Sequence, residues 1–194
     1  MNNKTLEFYA TNAATYVSHG TVNPRLNSFL DRLPPGGTIL ELGTGSGVDA
    51  KAMLNAGFRV DATDGSSELA QEAEKLLGQP VRQMLFNQLD AVQAYDGVYA
   101  NASLLHAART DLPDIISRIH RSLKMGGYVW ASFKGGQQEG LDGLGRYYNY
   151  LSASELKQLW SHNGQWSTLE HESWLGSGYD KLPTEWHYII AKRQ

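Results

Sequence analysis

The feature that most constrains the fold is a short apolar run, residues 39–42, that breaks into three alternating glycines over residues 43–47. The run predicts a buried strand, and the glycines predict a tight turn where backbone approaches a ligand closely. Ser46 is positioned to cap a following helix, whose free N–H groups and positive dipole end would face that ligand. The stretch therefore indicates a nucleotide-type ligand at the end of a strand.

Strand and helix patterns alternate along the rest of the chain. Apolar segments bounded by Gly, Pro and Asp-Gly breaks predict further strands near residues 58–63, 81–85, 96–102, 128–133, 166–174 and 185–192. Helical stripes lie between them, and one of these helices is expected to run from Leu112 to Gly126–Gly127. This order predicts an α/β fold: a doubly wound, mostly parallel seven-stranded sheet with a C-terminal antiparallel hairpin.

The composition argues against several classes of partner. Seventeen basic and twenty acidic residues give a net charge of −3, so we expect neither a nucleic-acid partner nor an anionic membrane surface. The chain has no cysteine, no apparent signal peptide and no run of membrane-spanning length, which favours a cytoplasmic location. The six histidines are scattered, so we expect no metal site, and the oligomeric state stays open.

The details of the glycine turn separate ligand classes. A dinucleotide fingerprint needs a third small residue at the position that Val48 occupies, where a branched side chain would crowd the helix against the strand. Glu41 lies inside the strand, and a carboxylate there is costly to bury unless it is hydrogen-bonded or meets a cation. A ligand with an ammonium and a sulfonium group suits this site better than NAD.

Asp64 lies 21 positions beyond Gly43, at the end of the next predicted strand. A carboxylate there can accept hydrogen bonds from both ribose hydroxyls of an adenosine. The alternative is a turn-forming Asp-Gly pair, which is common on any surface. The spacing from the glycine turn favours the ribose interpretation. Ser66 or Ser67 then caps a helix that ends at Gly78.

Together these stretches resemble the class I S-adenosylmethionine-dependent methyltransferases over nearly the whole chain. Residues 41–47 resemble that family's first motif, Asp64 its ribose-binding acid, residues 95–106 its fourth-strand motif, and residues 123–129 its double glycine and fifth strand. The likeness is greatest to small bacterial enzymes of the tellurite-resistance and ubiquinone-biosynthesis type. It implies a Rossmann-like methyltransferase fold and one methyltransferase domain, with a helical cap (1–37), a cofactor-binding core (38–133) and an acceptor-side loop, helix and hairpin (134–194).

The resemblance also implies a set of residues that bind S-adenosylmethionine, with S-adenosylhomocysteine as the product. The methionine part would lie against backbone of the glycine turn, the ribose at the acid after the second strand, the adenine beside the next two turns, and the sulfonium at the end of the fourth strand. In that order, the residues are Glu41, Gly43, Thr44 and Gly45; Asp64; Gly65, Ser66, Asn87 and Gln88; and Asn101 and Ala102.

Three further side chains are candidates with alternatives. His106 follows the fourth strand and can act as a general base, or it is a polar residue that serves packing or cofactor contact. Tyr16, which shares a helix face with Tyr9, closes over the cofactor or is a core aromatic. Arg25 reaches the cofactor carboxylate or is a solvated helix arginine.

The predicted activity is methyl transfer to a small-molecule acceptor, because no basic surface or added recognition domain is apparent. Arg146 and the two tyrosines after it are candidates for lining the acceptor pocket. Two alternatives stay open: an NAD(P)-binding oxidoreductase, and a non-catalytic protein that binds S-adenosylmethionine.

Overall fold

The computed structural model describes residues 3–179 and 181–194, so Met1, Asn2 and Asp180 of the predicted cap and hairpin regions lie outside the described residues. The described residues form six α-helices: α1 Asn3–Val17, α2 Leu26–Leu30, α3 Val48–Asn55, α4 Ser67–Leu77, α5 Leu112–Ser122 and α6 Ala153–His162. The strands are β1 Thr38–Leu42, β2 Arg59–Asp64, β3 Arg82–Gln83, β4 Tyr95–Ala100, β5 Leu123–Lys134, β6 Gly140–Leu141, β7 Tyr147–Tyr148, β8 Trp166–Ser177 and β9 Pro183–Arg193.

Seven strands form one sheet in the order β3-β2-β1-β4-β5-β9-β8, while β6 and β7 form a separate two-stranded ribbon. Strands β1 to β5 pair in parallel, and β9 runs antiparallel to both β5 and β8. The doubly wound, mostly parallel seven-stranded sheet with a C-terminal antiparallel hairpin is therefore confirmed. The strand order reverses between β1 and β4, where open sheets of this kind bind their ligands.

Helices cover both faces of the sheet. Successive side chains of β1 point to opposite faces, so they pack against different helices. Leu40 and Leu42 belong to the core cluster that includes α5 and α6, whereas Ile39 packs in the cluster formed with α2, α3 and α4. Glu41 shares the face of Ile39, but it lies at the carboxyl end of the strand, beside the glycine turn. The alternation that buries the core therefore also directs one carboxylate toward the edge where ligands bind.

Two local predictions are wrong. Helix α5 ends at Ser122 rather than at Gly126–Gly127, because Leu123 is already extended and pairs with Tyr95 of β4. Ser46 does not cap α3: the capping position is Gly47, in a left-handed conformation, with no side-chain hydrogen bond to the helix. By contrast, Ser66 caps α4 as predicted, and its hydroxyl accepts from the Leu69 N–H.

The N-terminal region and the C-terminal hairpin meet over the carboxyl edge of the sheet. Helix α1 packs against α4, and Tyr16 of α1 stacks on Tyr179 in the β8–β9 loop, with ring centroids 5.6 Å apart. The Arg25 guanidinium lies 4.1 Å from the ring centre of Trp174 on β8. In the part of the chain that the structure describes, every helix is too short or too polar to cross a membrane.

Candidate functional site

The glycine turn after β1 has a backbone that side chains would not allow. Gly43, Gly45 and Gly47 have φ values of 78°, 54° and 79°, in the left-handed region that favours glycine. A Cβ on Gly43 would lie 2.5 Å from the Ser103 Cβ, so the close approach to the segment that follows β4 also requires glycine. The Gly43 and Thr44 N–H groups donate to the Thr63 carbonyl at 2.9 and 2.8 Å, which ties the turn to β2.

A cavity of about 330 Å³ opens between this turn, the ends of β2 and β4, and the aromatic residues of α1. Its volume is at the lower end of the range for small-molecule sites, about 300–1,000 Å³. Ten predicted site residues line it: Tyr16, Glu41, Gly43, Thr44, Gly45, Asp64, Gly65, Asn101, Ala102 and His106. The structure therefore brings most of the candidates to one place.

Glu41 forms part of the floor of the cavity with an unsatisfied carboxylate. It is 3% exposed, and its Oε2 atom accepts no hydrogen bond from any described residue. Burial raises the pKa of Glu41 to about 8; the Thr44 hydroxyl acts against this shift, and the nearby carboxylates of Asp49 and Asp64 act with it. A buried acid without a partner is costly, and a ligand ammonium group would supply both a hydrogen bond and a countercharge.

Asp64 is held in place by backbone N–H groups. Its Oδ2 accepts from Gly45 and its Oδ1 accepts from Ser66, both at 2.9 Å. Each carboxylate oxygen has two lone pairs, so each keeps one for a ligand hydroxyl. Burial raises the pKa of Asp64 to about 6, although the backbone donors favour the ionised form. The residue can therefore accept two hydrogen bonds from a diol.

The end of β4 is fixed at the opposite side of the cavity. Asn101 donates from Nδ2 to the Asp49 Oδ2 at 3.0 Å, and its Oδ1 accepts from the Ser132 hydroxyl at 2.9 Å. Ala102 has a φ of 50°, an uncommon conformation for alanine, and its N–H donates to the same hydroxyl at 2.8 Å. Strain of this kind is typical of functional sites.

His106 has both ring nitrogens engaged. Nδ1 lies 2.6 Å from the Tyr147 carbonyl oxygen, which can only accept, so Nδ1 carries the proton. Nε2 lies 2.9 Å from the Tyr9 hydroxyl, which therefore donates to it. Burial, with the nearby Arg146 and Lys134 cations, lowers the pKa of His106 to about 3. At neutral pH the imidazole is an uncharged acceptor that holds Tyr9.

Four predicted ligand-binding residues do not line the cavity. The Arg25 guanidinium stacks on the Trp174 ring and lies outside the cavity lining. Asn87 and Gln88 are exposed, and the Gln88 Oε1 accepts from the Leu85 N–H, whereas the buried Phe86 beside them lines the cavity. Ser66 uses its hydroxyl on α4 instead. The roles of these four residues in cofactor binding stay predictions.

Arg146 is also buried away from the cavity lining. It is 1% exposed and forms two hydrogen bonds to the Asp142 Oδ2, at 2.9 and 2.7 Å, from Nε and Nη2. Its guanidinium lies 5.1–5.4 Å from the ring centres of Phe8, Tyr148 and Tyr179. Arg146 therefore supports the aromatic wall rather than presenting its charge to an acceptor.

The sequence did not point to several residues that line the cavity. They include Asp49, Phe86, the segment His19–Thr21, Ser177 at the end of β8, and Tyr179 of the β8–β9 loop. Asp49 gave no distinguishing signal, because an acid in the first turn of a helix is common. Tyr179 also gave none, because its contact with Tyr16 joins positions that are 163 residues apart in the sequence.

Comparison with known protein families decides the relationship. Residues 16–165 match the model of a family described as a methyltransferase domain. The chain belongs to this methyltransferase family. The resemblance to class I methyltransferases is thereby confirmed, while the tellurite-resistance and ubiquinone-biosynthesis subtype stays a prediction. A search of curated protein sequences finds no significant match.

Solved structures share the fold at low sequence identity. A Burkholderia thailandensis 1,6-didemethyltoxoflavin-N1-methyltransferase, with its substrate and S-adenosylhomocysteine bound, has a TM-score of 0.79 and 19% identity, covering 98% of this chain and 88% of that one. A Haemonchus contortus phosphoethanolamine N-methyltransferase, with phosphomonomethylethanolamine and S-adenosylhomocysteine, has a TM-score of 0.73 and 15% identity over 100% and 60% of the two chains. The [4+2]-cyclase SpnF has a TM-score of 0.72 and 15% identity over 97% and 93%.

Proposed function

We propose that this methyltransferase-family protein binds S-adenosylmethionine in the cavity and transfers its methyl group to a small-molecule acceptor. The observation that carries the proposal is the unsatisfied, buried Glu41 carboxylate beside a left-handed glycine turn. An anionic phosphate ligand would be repelled by the Asp49 and Asp64 carboxylates, which line the cavity, and would give the buried Glu41 acid no countercharge. A ligand with an ammonium group, a sulfonium group and a ribose matches these carboxylates.

The proposed binding roles follow from the groups that each residue presents. Glu41 takes the ammonium group, and the backbone of Gly43, Thr44 and Gly45 lies against the methionine part. Asp64 accepts from the ribose hydroxyls beside Gly65. Asn101 and Ala102 border the sulfonium, and Tyr16 covers the glycine turn. When bound, the sulfonium supplies an activated methyl group, since the neutral thioether is a good leaving group.

His106 is proposed to act as a positioning residue rather than a general base. Its Nε2 atom already accepts from Tyr9, and the lowered pKa makes it a weak proton acceptor near neutral pH. Orientation of the two reactants can supply roughly 7–11 kcal/mol of a barrier without proton transfer. We therefore expect an acceptor atom that presents a lone pair without needing a strong base.

A small acceptor suits the dimensions of the site. The cavity of about 330 Å³ leaves little room beside a bound cofactor. Two similar structures, the didemethyltoxoflavin and phosphoethanolamine enzymes, were determined with small molecules bound. We also propose a cytoplasmic location, with which the cysteine-free composition is compatible. The similarity to a [4+2]-cyclase is a reason to test methyl transfer directly.

A thermal-shift comparison tests cofactor identity first. S-adenosylhomocysteine is expected to raise Tm, whereas NADH is not; stabilisation by NADH alone would favour an oxidoreductase. A screen for S-adenosylhomocysteine release with thiols, phenols, amines and metalloid oxyanions then tests catalysis. Binding of the cofactor without turnover on any acceptor would favour the non-catalytic alternative.

A further inference from the structure

Asp49 connects parts of the chain that are far apart in the sequence. It lies in the first turn of α3, is 6% exposed, and lines the cavity. An acid in this turn interacts favourably with the helix dipole, but that interaction needs no further partners. The carboxylate of Asp49 instead accepts hydrogen bonds from three neutral donors outside its own helix.

The first connection reaches the segment between α1 and α2. The Asn23 backbone N–H donates to the Asp49 Oδ1 at 2.8 Å. The Asn23 side chain also donates from Nδ2 to the Tyr99 hydroxyl at 2.8 Å. That hydroxyl donates in turn to the Asp49 Oδ2 at 3.1 Å, which closes a ring of three hydrogen bonds. Asn23 is therefore held to the interior by both its backbone and its side chain.

The residues just before Asn23 form one wall of the cavity. His19, Gly20 and Thr21 line it, and we call residues 19–23 the entrance segment. Gly20 packs so closely on the glycine turn that a Cβ there would lie 2.3 Å from the Ser46 Oγ. The position of Asn23 thus determines how the entrance segment covers the turn that binds the methionine part of the cofactor.

The second connection reaches the end of β4. The Asp49 Oδ2 accepts from the Asn101 side chain, whose Oδ1 accepts from Ser132. Both ends of the Asn101 amide are therefore engaged, and its orientation is fixed. The carboxylate that binds the entrance segment thus also fixes the Asn101 side chain beside the proposed sulfonium position.

We propose that Asp49 is a positioning residue that couples cofactor binding at Asn101 to closure of the entrance segment. This inference rests on the proposed binding of S-adenosylmethionine. A ligand that contacts Asn101 and the glycine turn stabilises one arrangement of the Asp49 hydrogen bonds. In that arrangement Asn23 stays bound to Asp49. Cofactor binding and ordering of the entrance segment then form one equilibrium.

Hydrogen exchange with mass spectrometry tests the coupling without a methyl acceptor. In the wild type, saturating S-adenosylhomocysteine is expected to slow amide exchange in residues 19–23 about tenfold. Asp49→Asn places an NH₂ group against either the Asn23 N–H or the Asn101 NH₂ group, so one of the two connections is lost and we expect affinity to fall about five- to tenfold. The protection of residues 19–23 at saturation should fall below about twofold. A purely structural role would raise exchange equally with and without ligand, leaving the protection ratio unchanged.

Asp114→Asn is the matched control, because Asp114 also lies in the first turn of a helix, α5, but is exposed and far from the cavity lining. It should retain wild-type affinity and protection. If Asp49→Asn does not fold, Asn101→Ala provides the same test, since it leaves the Asn23 connection intact. It should bind ligand with less than about twofold protection of the entrance segment.

The outcomes separate this inference from the proposed function. If wild type binds S-adenosylhomocysteine and Asp49→Asn, or Asn101→Ala in its place, keeps the wild-type protection ratio, the coupling is wrong and cofactor binding stands. If wild type does not bind S-adenosylhomocysteine, the proposed function fails and the coupling fails with it.

Discussion

The two sides of the cavity differ in how their polar groups are satisfied. On the donor side, formed by Glu41, Asp64 and residues 43–45, the Glu41 Oε2 and Thr44 Oγ1 atoms have no hydrogen-bond partner among the described residues. On the acceptor side, formed by Tyr9 and His106, each polar group is bonded to its neighbour. Polar atoms without hydrogen-bond partners indicate which groups a ligand must supply, whereas polar atoms that are already bonded to each other give no such indication.

This contrast explains why the methyl donor is easier to infer than the acceptor. On the donor side, the two carboxylates that line the cavity, Glu41 and Asp64, match the proposed cation and diol. The acceptor side combines a neutral imidazole with tyrosine rings, and Arg146 behind it is already paired with Asp142. Such a surface suits many small molecules, so we expect its shape and aromatic character, rather than its charge, to select the acceptor.

The largest effect is expected from removing the charge on the donor side. Glu41→Gln should weaken S-adenosylhomocysteine binding about 10- to 100-fold, because a charge-assisted hydrogen bond is lost. The unliganded variant should nevertheless be more stable by on the order of 2 kcal/mol at pH 7, since no acid remains buried without a partner. Calorimetric titration and chemical denaturation measure the two quantities. Glu7→Gln, an exposed acid on α1, should change neither.

The pH dependence of stability follows from the same group. The pKa of Glu41 is raised from 4.5 to about 8, so the folded state binds more protons than the unfolded state between these values. The free energy of unfolding therefore decreases as pH rises from 4.5 toward 8, and Asp64 adds to the decrease at the lower end. Denaturation of Glu41→Gln across this range should show a shallower decrease. Parallel curves for the two proteins would contradict the assignment.

The next largest effect is expected at the ribose site. Asp64→Ala should weaken S-adenosylhomocysteine binding about tenfold, because two acceptor oxygens are lost and the Gly45 and Ser66 N–H groups lose their partner. Affinity for adenosine, which keeps the ribose but lacks the amino-acid part, should fall by a similar factor. Unchanged affinity for both ligands would show that the ribose lies elsewhere.

A smaller effect on the donor is expected from the acceptor side. His106→Asn should leave S-adenosylhomocysteine affinity within about twofold and reduce stability by about 1–3 kcal/mol, because Tyr9 loses a buried partner. In the wild type, NMR signals of the His106 ring should not titrate between pH 5 and 8, since its pKa is about 3. A titration midpoint near 6.5 would restore the general-base interpretation.

The smallest effects are expected from the predicted ligand-binding residues that lie outside the cavity lining. Asn87→Ala and Gln88→Ala should leave S-adenosylhomocysteine affinity unchanged within error, because both side chains are exposed and outside the cavity lining. Arg25→Ala should also preserve affinity but reduce stability by about 0.5–1 kcal/mol through loss of its contact with Trp174. A tenfold loss of affinity in any of these three variants would show that the substituted residue binds the ligand.

What could be predicted from the sequence depended on local chemistry. The strand before the glycines, the Ser66 cap and the antiparallel hairpin follow from patterns within a dozen residues, and the structure contains all three. The end of α5 was missed because a pairing with β4 overrides the local signal of Gly126 and Gly127. Local patterns thus locate the elements better than their ends.

The residues of the site also differ in how far the sequence predicts them. Glu41, Asp64 and Asn101 were predictable because each stands at the end of a parallel strand, and such ends meet at one edge of the sheet. The bonds between Asn23 and Asp49, and the contact of Tyr16 with Tyr179, depend on how remote segments pack. Nothing in the local sequence encodes those distances, so the segments that cover the site could not be predicted.

Proton release on ligand binding shows whether Glu41 binds the ligand ammonium group. Calorimetric titration of S-adenosylhomocysteine at pH 7, in buffers of different ionisation enthalpy, counts the protons that binding displaces. If the ligand ammonium meets the protonated Glu41, binding should release about one proton per molecule in the wild type and close to none in Glu41→Gln. Equal proton release in both proteins, or no binding in the wild type, would contradict the account.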